Sequence, residues 1–351
     1  MIPVFAFAAL LWGAGAMMKV PRRARWNMIA LLYVLVLALQ VALPVGHPVR
    51  MATGESPAFW LILGGFAALV LAYRTGLRHL RRRAKAEEDK AAPTPDGSFS
   101  DTELNRYARH IVLREIGGAG QKALKDARVL VVGAGGLGAP VLQYLAAAGV
   151  GTIGVIDDDV VENTNLQRQV IHRDAQIGTP KVFSAQGAMQ AQNPFVTVRP
   201  YHRRLTDEIA DELLADYDLV IDGSDNFDTR YLVNASAVHA GIPLISGALT
   251  QWEGQVSVFD PANGAPCYAC VFPQAPSADL APSCAEAGVL GPLPGVVGSM
   301  MAVEAVKLIT GAGAPLRGEM VIYDALYSES RKIAVKCRPD CPACGSAVAA
   351  G

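Results

Sequence analysis

A glycine loop, a carboxylate some way beyond it, and a polar segment bearing an arginine could together bind and activate a nucleotide. The run Val129-Leu130-Val131-Val132 leads into Gly133-Ala134-Gly135-Gly136-Leu137-Gly138; Asp157 follows, then Asn165-Leu166-Gln167-Arg168-Gln169. A strand that turns on glycines into a helix lets backbone approach a phosphate and aims the helix N-terminus at its charge, while a later carboxylate can hold ribose hydroxyls. The loop alone fits a nicotinamide-dependent oxidoreductase equally well. That alternative rests only on the loop and Asp157. It leaves the polar, arginine-bearing segment directly after the carboxylate without a purpose, whereas a nucleoside triphosphate needs such a cation.

Cys267-Tyr268-Ala269-Cys270 and Cys341-Pro342-Ala343-Cys344 are two CxxC pairs flanked by turn residues. Their separation is wider than a single zinc ribbon. Four thiolates converging on one tetrahedral zinc would staple the C-terminal segment onto the body of the domain as a closed structural site. A redox pair or disulfides are the alternatives. A cytoplasmic location disfavours disulfides, and the second pair lacks the following helix that a redox CxxC uses. Cys337 is read as a spare thiol. Cys284 stands apart in Pro282-Ser283-Cys284-Ala285-Glu286-Ala287-Gly288, where a loop setting suits a reactive thiol and burial as a small side chain is the plain alternative.

These groups need a scaffold, and the pattern between residues 100 and 335 supplies one. Ser100 and Glu103 form a capping-box signature, predicting a helix from Asp101 through Arg109 towards Ile116, ended by Gly117-Gly118. Short β-branched runs then alternate with amphipathic segments: strands at 128–132, 152–157, 196–200, 218–222 and 243–246, helices at 137–148, 180–192, 206–214 and 227–240. This is an α/β pattern, a Rossmann-like, mostly parallel sheet with helices on both faces. Strands at 254–259, 319–323 and 331–335 and a helix at 296–309 predict an antiparallel extension. The Pro-rich stretch 273–294 has no periodicity and reads as a functional loop.

The front of the chain is different. Residues 2–18, 27–45 and 58–73 are nearly uncharged and predict three transmembrane helices in residues 1–83, the first and third slightly shorter than the roughly 20 residues a bilayer core asks for. Basic clusters follow the first and third stretches. The positive-inside rule then places the N-terminus outside and the remainder in the cytoplasm, a multi-pass protein of the inner (cytoplasmic) membrane. A cleaved signal peptide is the alternative for the first stretch, but it has no basic n-region. Residues 84–99, polar with Pro93, Pro95 and Gly97, read as a linker to an enzymatic domain at 100–345. Residues 1–90 carry 12 basic and 4 acidic side chains, leaving 19 and 28 for the rest, a net charge of −9. Such a balance argues against a nucleic-acid partner.

Taken in order, Arg106-Tyr107-Ala108-Arg109, the glycine loop, Asn165-Leu166-Gln167-Arg168-Gln169, Gly178-Thr179-Pro180-Lys181, Asp222-Gly223-Ser224-Asp225-Asn226, Glu253-Gly254-Gln255 and the two CxxC pairs resemble the MoeB/ThiF/HesA family, bacterial relatives of ubiquitin-activating enzymes. The likeness covers about residues 100–345 and is nearest the molybdopterin-synthase adenylyltransferase type, with the thiamine-pathway type a close second. It implies an ATP-dependent adenylyltransferase acting on the C-terminal glycine of a ubiquitin-like sulfur-carrier protein ending in Gly-Gly, in molybdopterin or thiamine biosynthesis. By the same resemblance, Gly133, Gly135, Gly136 and Gly138 would cradle the nucleotide and Asp157 its ribose. Arg168 and Lys181 would hold the phosphates, while Asn165, Leu166 and Gln167 line the site. Asp225, with Asn226 beside it, would bind magnesium; an N-cap is the alternative role for Asp225. Arg109 would reach the partner's active site in a homodimer. Cys284 would carry sulfur in the thiamine-type route and be dispensable in the other. The carrier's carboxylate is already ionised at neutral pH, so no general base is required, and His172 reads as structural.

Overall fold

Branched residues Arg128–Val132 (β1), Thr152–Ile156 (β2), Thr197–Tyr201 (β3), Leu219–Asp222 (β4) and Leu244–Leu249 (β5) are the first five strands of one eight-stranded sheet. Glu253–Phe259 (β6), Glu319–Asp324 (β7) and Glu329–Ala334 (β8) complete it in the order β3-β2-β1-β4-β5-β6-β7-β8. The first five are parallel and the β5–β6, β6–β7 and β7–β8 pairings antiparallel. This computed structural model describes residues 2–18, 20–54, 56–91, 98–275 and 287–345. The chain divides into two compact units, Met1–Asp89 and Lys90–Gly351.

In numbering order the helices are Ile2–Met17 (α1), Arg22–Ala42 (α2), Pro48–Thr53 (α3), Pro57–Ala91 (α4), Asp101–Ile111 (α5), Gly117–Asp126 (α6), Gly138–Ala148 (α7), Lys181–Gln192 (α8), Asp207–Leu214 (α9), Phe227–Ala240 (α10), Tyr268–Val271 (α11) and Pro292–Thr310 (α12). Two apolar layers cover the sheet. One joins Val129, Val131, Val155 and Ile245 to Leu142 and Leu145 of α7 and Val297 and Met301 of α12; the other joins Leu130, Val132 and Val220 to Leu213 and Val233. Burial on both faces explains why β1 reads as an unbroken apolar run rather than an alternation.

The sequence expectation for the first helix of this unit needs correction. The capping box is present, with Ser100 N donating to Glu103 at 2.9 Å, but the helix ends at Ile111. Gly117-Gly118 begins α6 instead of closing α5. Gly117 takes φ +61°, which turns the chain at little steric cost, and Gly120 lets α6 approach Thr310, where a Cβ would lie 3.3 Å away. The polar run after residue 83 likewise continues α4 to Ala91.

In the N-terminal unit, Val4, Val36 and Trp60 form a small cluster, Tyr33 Oη donates to the Trp60 carbonyl at 2.7 Å, and Trp60 Nε1 donates to that of Thr53 at 3.1 Å. Phe7, Leu10, Leu31, Leu35, Ile62, Phe66 and Leu69 stay exposed. The windows Ala24–Ala42 and Pro57–Leu77 are long and apolar enough to cross a membrane; α1, at 16 residues, is shorter. Helix α12 meets the same length and composition test, yet its Leu293, Val297 and Met301 lie in the core of the other unit.

Candidate nucleotide site and cysteine cluster

The strand order reverses between β1 and β4, and the loops leaving their carboxyl ends meet there. A crevice of this kind is where open α/β sheets bind ligands. Gly133 takes φ +92°, and a Cβ on it would lie 3.1 Å from the Gly223 carbonyl oxygen. At Gly138 a Cβ would fall 1.9 Å from the Gly133 carbonyl oxygen, so no other residue closes this turn. Gly135 and Gly136 serve another purpose. Their missing side chains leave room bounded by Gln169 Nε2 at 3.7 Å and by Pro294 Cβ at 3.2 Å with Arg168 Cδ at 3.8 Å.

Asp157 lies just beyond β2. Its Oδ2 accepts from Ala134 N at 2.7 Å and its Oδ1 from Asp159 N at 2.8 Å, tying the acidic segment to the glycine loop. Burial pushes its carboxyl above the usual value, a shift opposed by Lys181 and by the two amide donors. A short antiparallel bridge, Val160 to Pro180, brings residues 159–161 beside 178–181. Buried Lys181 is thereby held with Nζ 2.7 Å from exposed Asp159 Oδ2. Arg168 donates to the Thr164 carbonyl at 3.0 Å and pairs with no carboxylate among the described residues. Buried Asn165 accepts from Glu162 N at 3.2 Å, and buried Gln169 has an Oε1 without a partner. Leu166 is half-buried and Gln167 exposed.

On the opposite loop, Asp222 is fully buried and Asp225 exposed. The helix cap is Asn226, whose Oδ1 accepts from Thr229 N at 2.9 Å. Asp225 therefore does not cap α10 and has no hydrogen-bond or ion-pair partner among the described residues. Arg109 is exposed on α5, while its neighbour Arg106 donates to the Gln192 carbonyl at 2.6 Å. Cys284 lies outside the described residues. The described residue Ala287, three positions later, accepts from Gln251 Nε2 at 2.7 Å.

Away from the crevice, Cys267, Cys270, Cys341 and Cys344 are buried with their sulfurs within 4.8 Å of one another. The separations are 3.8 Å for Cys267–Cys270, 3.6 Å for Cys267–Cys341 and 3.4 Å for Cys270–Cys344. Metal–sulfur bonds of about 2.3 Å in a tetrahedron require edges of about 3.8 Å, so the donor set suits a tetrahedral dication. Arg338 N donates to Cys270 Sγ at 3.4 Å, an outer contact of the sort that orients a ligand. Burial pushes the Cys267 thiol up to about 11, so ionising this group at neutral pH calls for a nearby cation. Cys337 is not in the cluster; its Sγ lies 3.6 Å from the Gly264 carbonyl.

Residues 107–343 match the model of the ThiF family. The chain belongs to the ThiF family. The sulfur carrier protein adenylyltransferase of Thermus thermophilus is 54% identical over 251 residues, covering 70% of this chain and 93% of that protein. The SAMP-activating enzyme E1 of Haloferax volcanii is 49% identical over 248 residues, covering 71% and 91%. Among solved structures, the crystal structure of PaaA superposes with a TM-score of 0.60 at 25% identity, over 68% of this chain and 75% of that one. The N-terminal unit lies outside the family match.

Three residues of this ThiF-family site escaped the sequence reading. Buried Arg230, one turn into α10, contacts Asp222 at the end of the crevice strand β4 and Gly247 of the neighbouring strand β5. Pro294 of α12 packs on Gly136, and the preceding Gly291 abuts Gln167, where a Cβ would come within 2.7 Å. His172, read only as structural, proves to contact the glycine loop itself. An arginine within a helix of mixed polar and apolar residues and a proline after a long loop carry no local signal of such contacts.

Proposed function

We propose that this chain uses ATP to adenylylate the C-terminal glycine of a ubiquitin-like sulfur-carrier protein, giving an acyl-adenylate and pyrophosphate for sulfur transfer of the molybdopterin or thiamine kind. The observation that carries this reading is the set of groups around the glycine loop: Lys181 and Arg168 on one side, and Asp225 without a partner two residues past Gly223 on the other. Kinship to the Thermus carrier adenylyltransferase over nearly its whole length supports it.

The chemistry needs these residue types. A carboxylate oxygen of the carrier forms a bond to the α-phosphorus, and the bond from that phosphorus to the β-phosphate bridging oxygen breaks, releasing pyrophosphate. Two anions must meet, so cationic screening is the main requirement. Lys181 and Arg168 supply it, and Arg109 adds a third cation from the partner subunit of a homodimer. Asp157 holds the ribose, with the four loop glycines and Asn165, Leu166 and Gln167 lining the nucleotide. Asp225, with Asn226 beside it, would hold magnesium, which would supply positive charge to the triphosphate. The four cysteines hold a structural zinc that ties the C-terminal CxxC to α11.

A nicotinamide role leaves the two cations and the free Asp225 unused, and no observation favours it. For the N-terminal unit, α1, α2 and α4 are read as three membrane spans, the first of them short. Under the positive-inside rule the basic residues at the start of α2 and at the end of the apolar part of α4 support an N-terminus outside and the enzyme on the cytoplasmic side of the inner membrane.

The test is exchange of labelled pyrophosphate into ATP with candidate carriers ending in Gly-Gly. Carrier-dependent exchange is expected; none with any such carrier of the genome overturns the reading. For Cys284, a covalent carrier adduct seen by mass spectrometry and lost in Cys284→Ala would assign the sulfur-transfer role, and its absence would assign the direct route.

A further inference from the structure

We infer that Arg230 is a positioning residue that sets the direction of the Asp225 carboxylate, an inference that rests on the reading of Asp225 as the magnesium-holding group. Arg230 is 6% exposed, and its guanidinium is used on several sides. Nη2 donates to the Ser224 carbonyl at 2.6 Å; Nη1 donates to the Gly247 carbonyl at 2.9 Å and to Ser246 Oγ at 3.3 Å, and lies 3.7 Å from Asp222 Oδ2. Asp222 in turn accepts from Ser224 N at 2.9 Å, from Ser224 Oγ at 2.6 Å and from Ser246 Oγ at 3.3 Å.

The result is a closed network around a single peptide unit. Both backbone polar groups of Ser224 are held, and its carbonyl belongs to the peptide bond that leads into Asp225. On the far side Asn226 is fixed by capping α10. Asp225 is thus clamped at both neighbours while its own side chain stays unpartnered, an arrangement that aims a carboxylate without consuming it. Linking Ser224 to Gly247 also locks the loop after β4 to β5, the next strand of the sheet.

Stability alone does not account for the arrangement. A buried ion pair is often replaceable by apolar side chains of similar volume without loss. What an apolar replacement, or a lysine, cannot do is donate in several directions from one rigid plane. Carboxylate placement is correspondingly sensitive, since a 1 Å error in a reacting geometry can cost about a hundredfold.

The test uses the full chain and pyrophosphate exchange titrated with magnesium, with thermal unfolding measured in parallel. Arg230→Lys keeps the charge facing Asp222 but loses the fork. It should raise the half-saturating magnesium concentration about tenfold while leaving the unfolding midpoint within a few degrees of wild type. Ser246→Ala, which removes the hydroxyl bridging Asp222 and Arg230, should shift the same value in the same direction by less, and carries the test if Arg230→Lys does not fold. An unchanged magnesium requirement in the folded variants, with or without reduced stability, reduces Arg230 to a structural residue and overturns the inference. Asp225→Asn separates the two claims. If it too keeps the wild-type magnesium requirement, the reading of Asp225 is wrong and the inference falls with it; if only Asp225→Asn is impaired, the inference alone is wrong.

Discussion

His172 Nε2 donates to the carbonyl oxygen of Ala134 at 3.0 Å, so a buried imidazole holds the glycine loop from beneath. Its Nδ1 lies 2.8 Å from Ser184 Oγ on α8, the helix that begins with Lys181. One ring therefore joins the glycine loop to the helix that begins with Lys181, and the bond to a carbonyl fixes the proton on Nε2.

This position makes stability pH-dependent in a defined direction. Burial holds the His172 pKa below the ordinary histidine value. The unfolded chain then binds the proton more tightly, so stability is complete above about pH 6.5 and falls as pH drops from there toward the folded value. Urea denaturation between pH 5 and 8 should show that loss, and His172→Gln should flatten it. At neutral pH His172→Ala should cost about 1–3 kcal/mol by leaving the Ala134 carbonyl unpartnered. A His172 contribution that grows on acidification would refute the neutral ring.

Asp157→Ala should act on binding more than on turnover. A ribose contact at Asp157, as proposed, would be made equally in ground and transition states, so the KM for ATP should rise about tenfold or more with a smaller change in kcat. Steady-state exchange kinetics over a range of ATP concentrations check this; a kcat effect with unchanged KM would remove Asp157 from the ribose.

Asp225→Ala should lower pyrophosphate exchange by about 10²–10³-fold, the scale of losing one preorganised electrostatic group. Carrier binding, followed by calorimetry, should be largely retained. Unchanged exchange would reject the assigned role.

The full-length protein should contain one zinc per chain by elemental analysis, and Cys344→Ser should lose it. Because binding energy at such a site is folding energy, the loss should lower the unfolding midpoint and expose the segment around Cys341 to protease. A metal-free protein with unchanged stability and four reactive thiols would exclude the structural site.

In cell fractionation, the full chain should remain with membranes through an alkaline carbonate wash. A chain starting at Lys90, the boundary of the second compact unit, should be released and keep its exchange activity. Recovery of the full chain in the soluble fraction would rule out α2 and α4 as spans.

The sequence by itself determined the parts whose signals are local. A short β-branched run placed β1 at Arg128–Val132, the alternation of such runs with longer segments placed α10 at Phe227–Ala240, and the motif order named the family, because strand, helix and glycine-turn preferences act over a few residues. It failed at Gly117-Gly118, where a glycine pair reads equally as a stop or as a turn into a new helix; the packing of α6 on α12 chose the second. It offered Asp225 as the alternative N-cap of α10, whereas the backbone path gives that role to Asn226.

Tertiary structure alone decided the long-range meetings. Cys267 and Cys341, 74 residues apart, come within 3.6 Å because α11 and the C-terminal segment fold to one place. Gly133 meets Gly223 because the sheet reverses its order between β1 and β4. His172 meets Ala134 of the glycine loop, 38 residues earlier, and Arg230 meets Asp222 and Gly247 because β4 and β5 pair side by side. Side-chain chemistry and local backbone preference are written residue by residue, but which of those residues share a crevice depends on how the strands pair, and no short window of sequence contains that pairing.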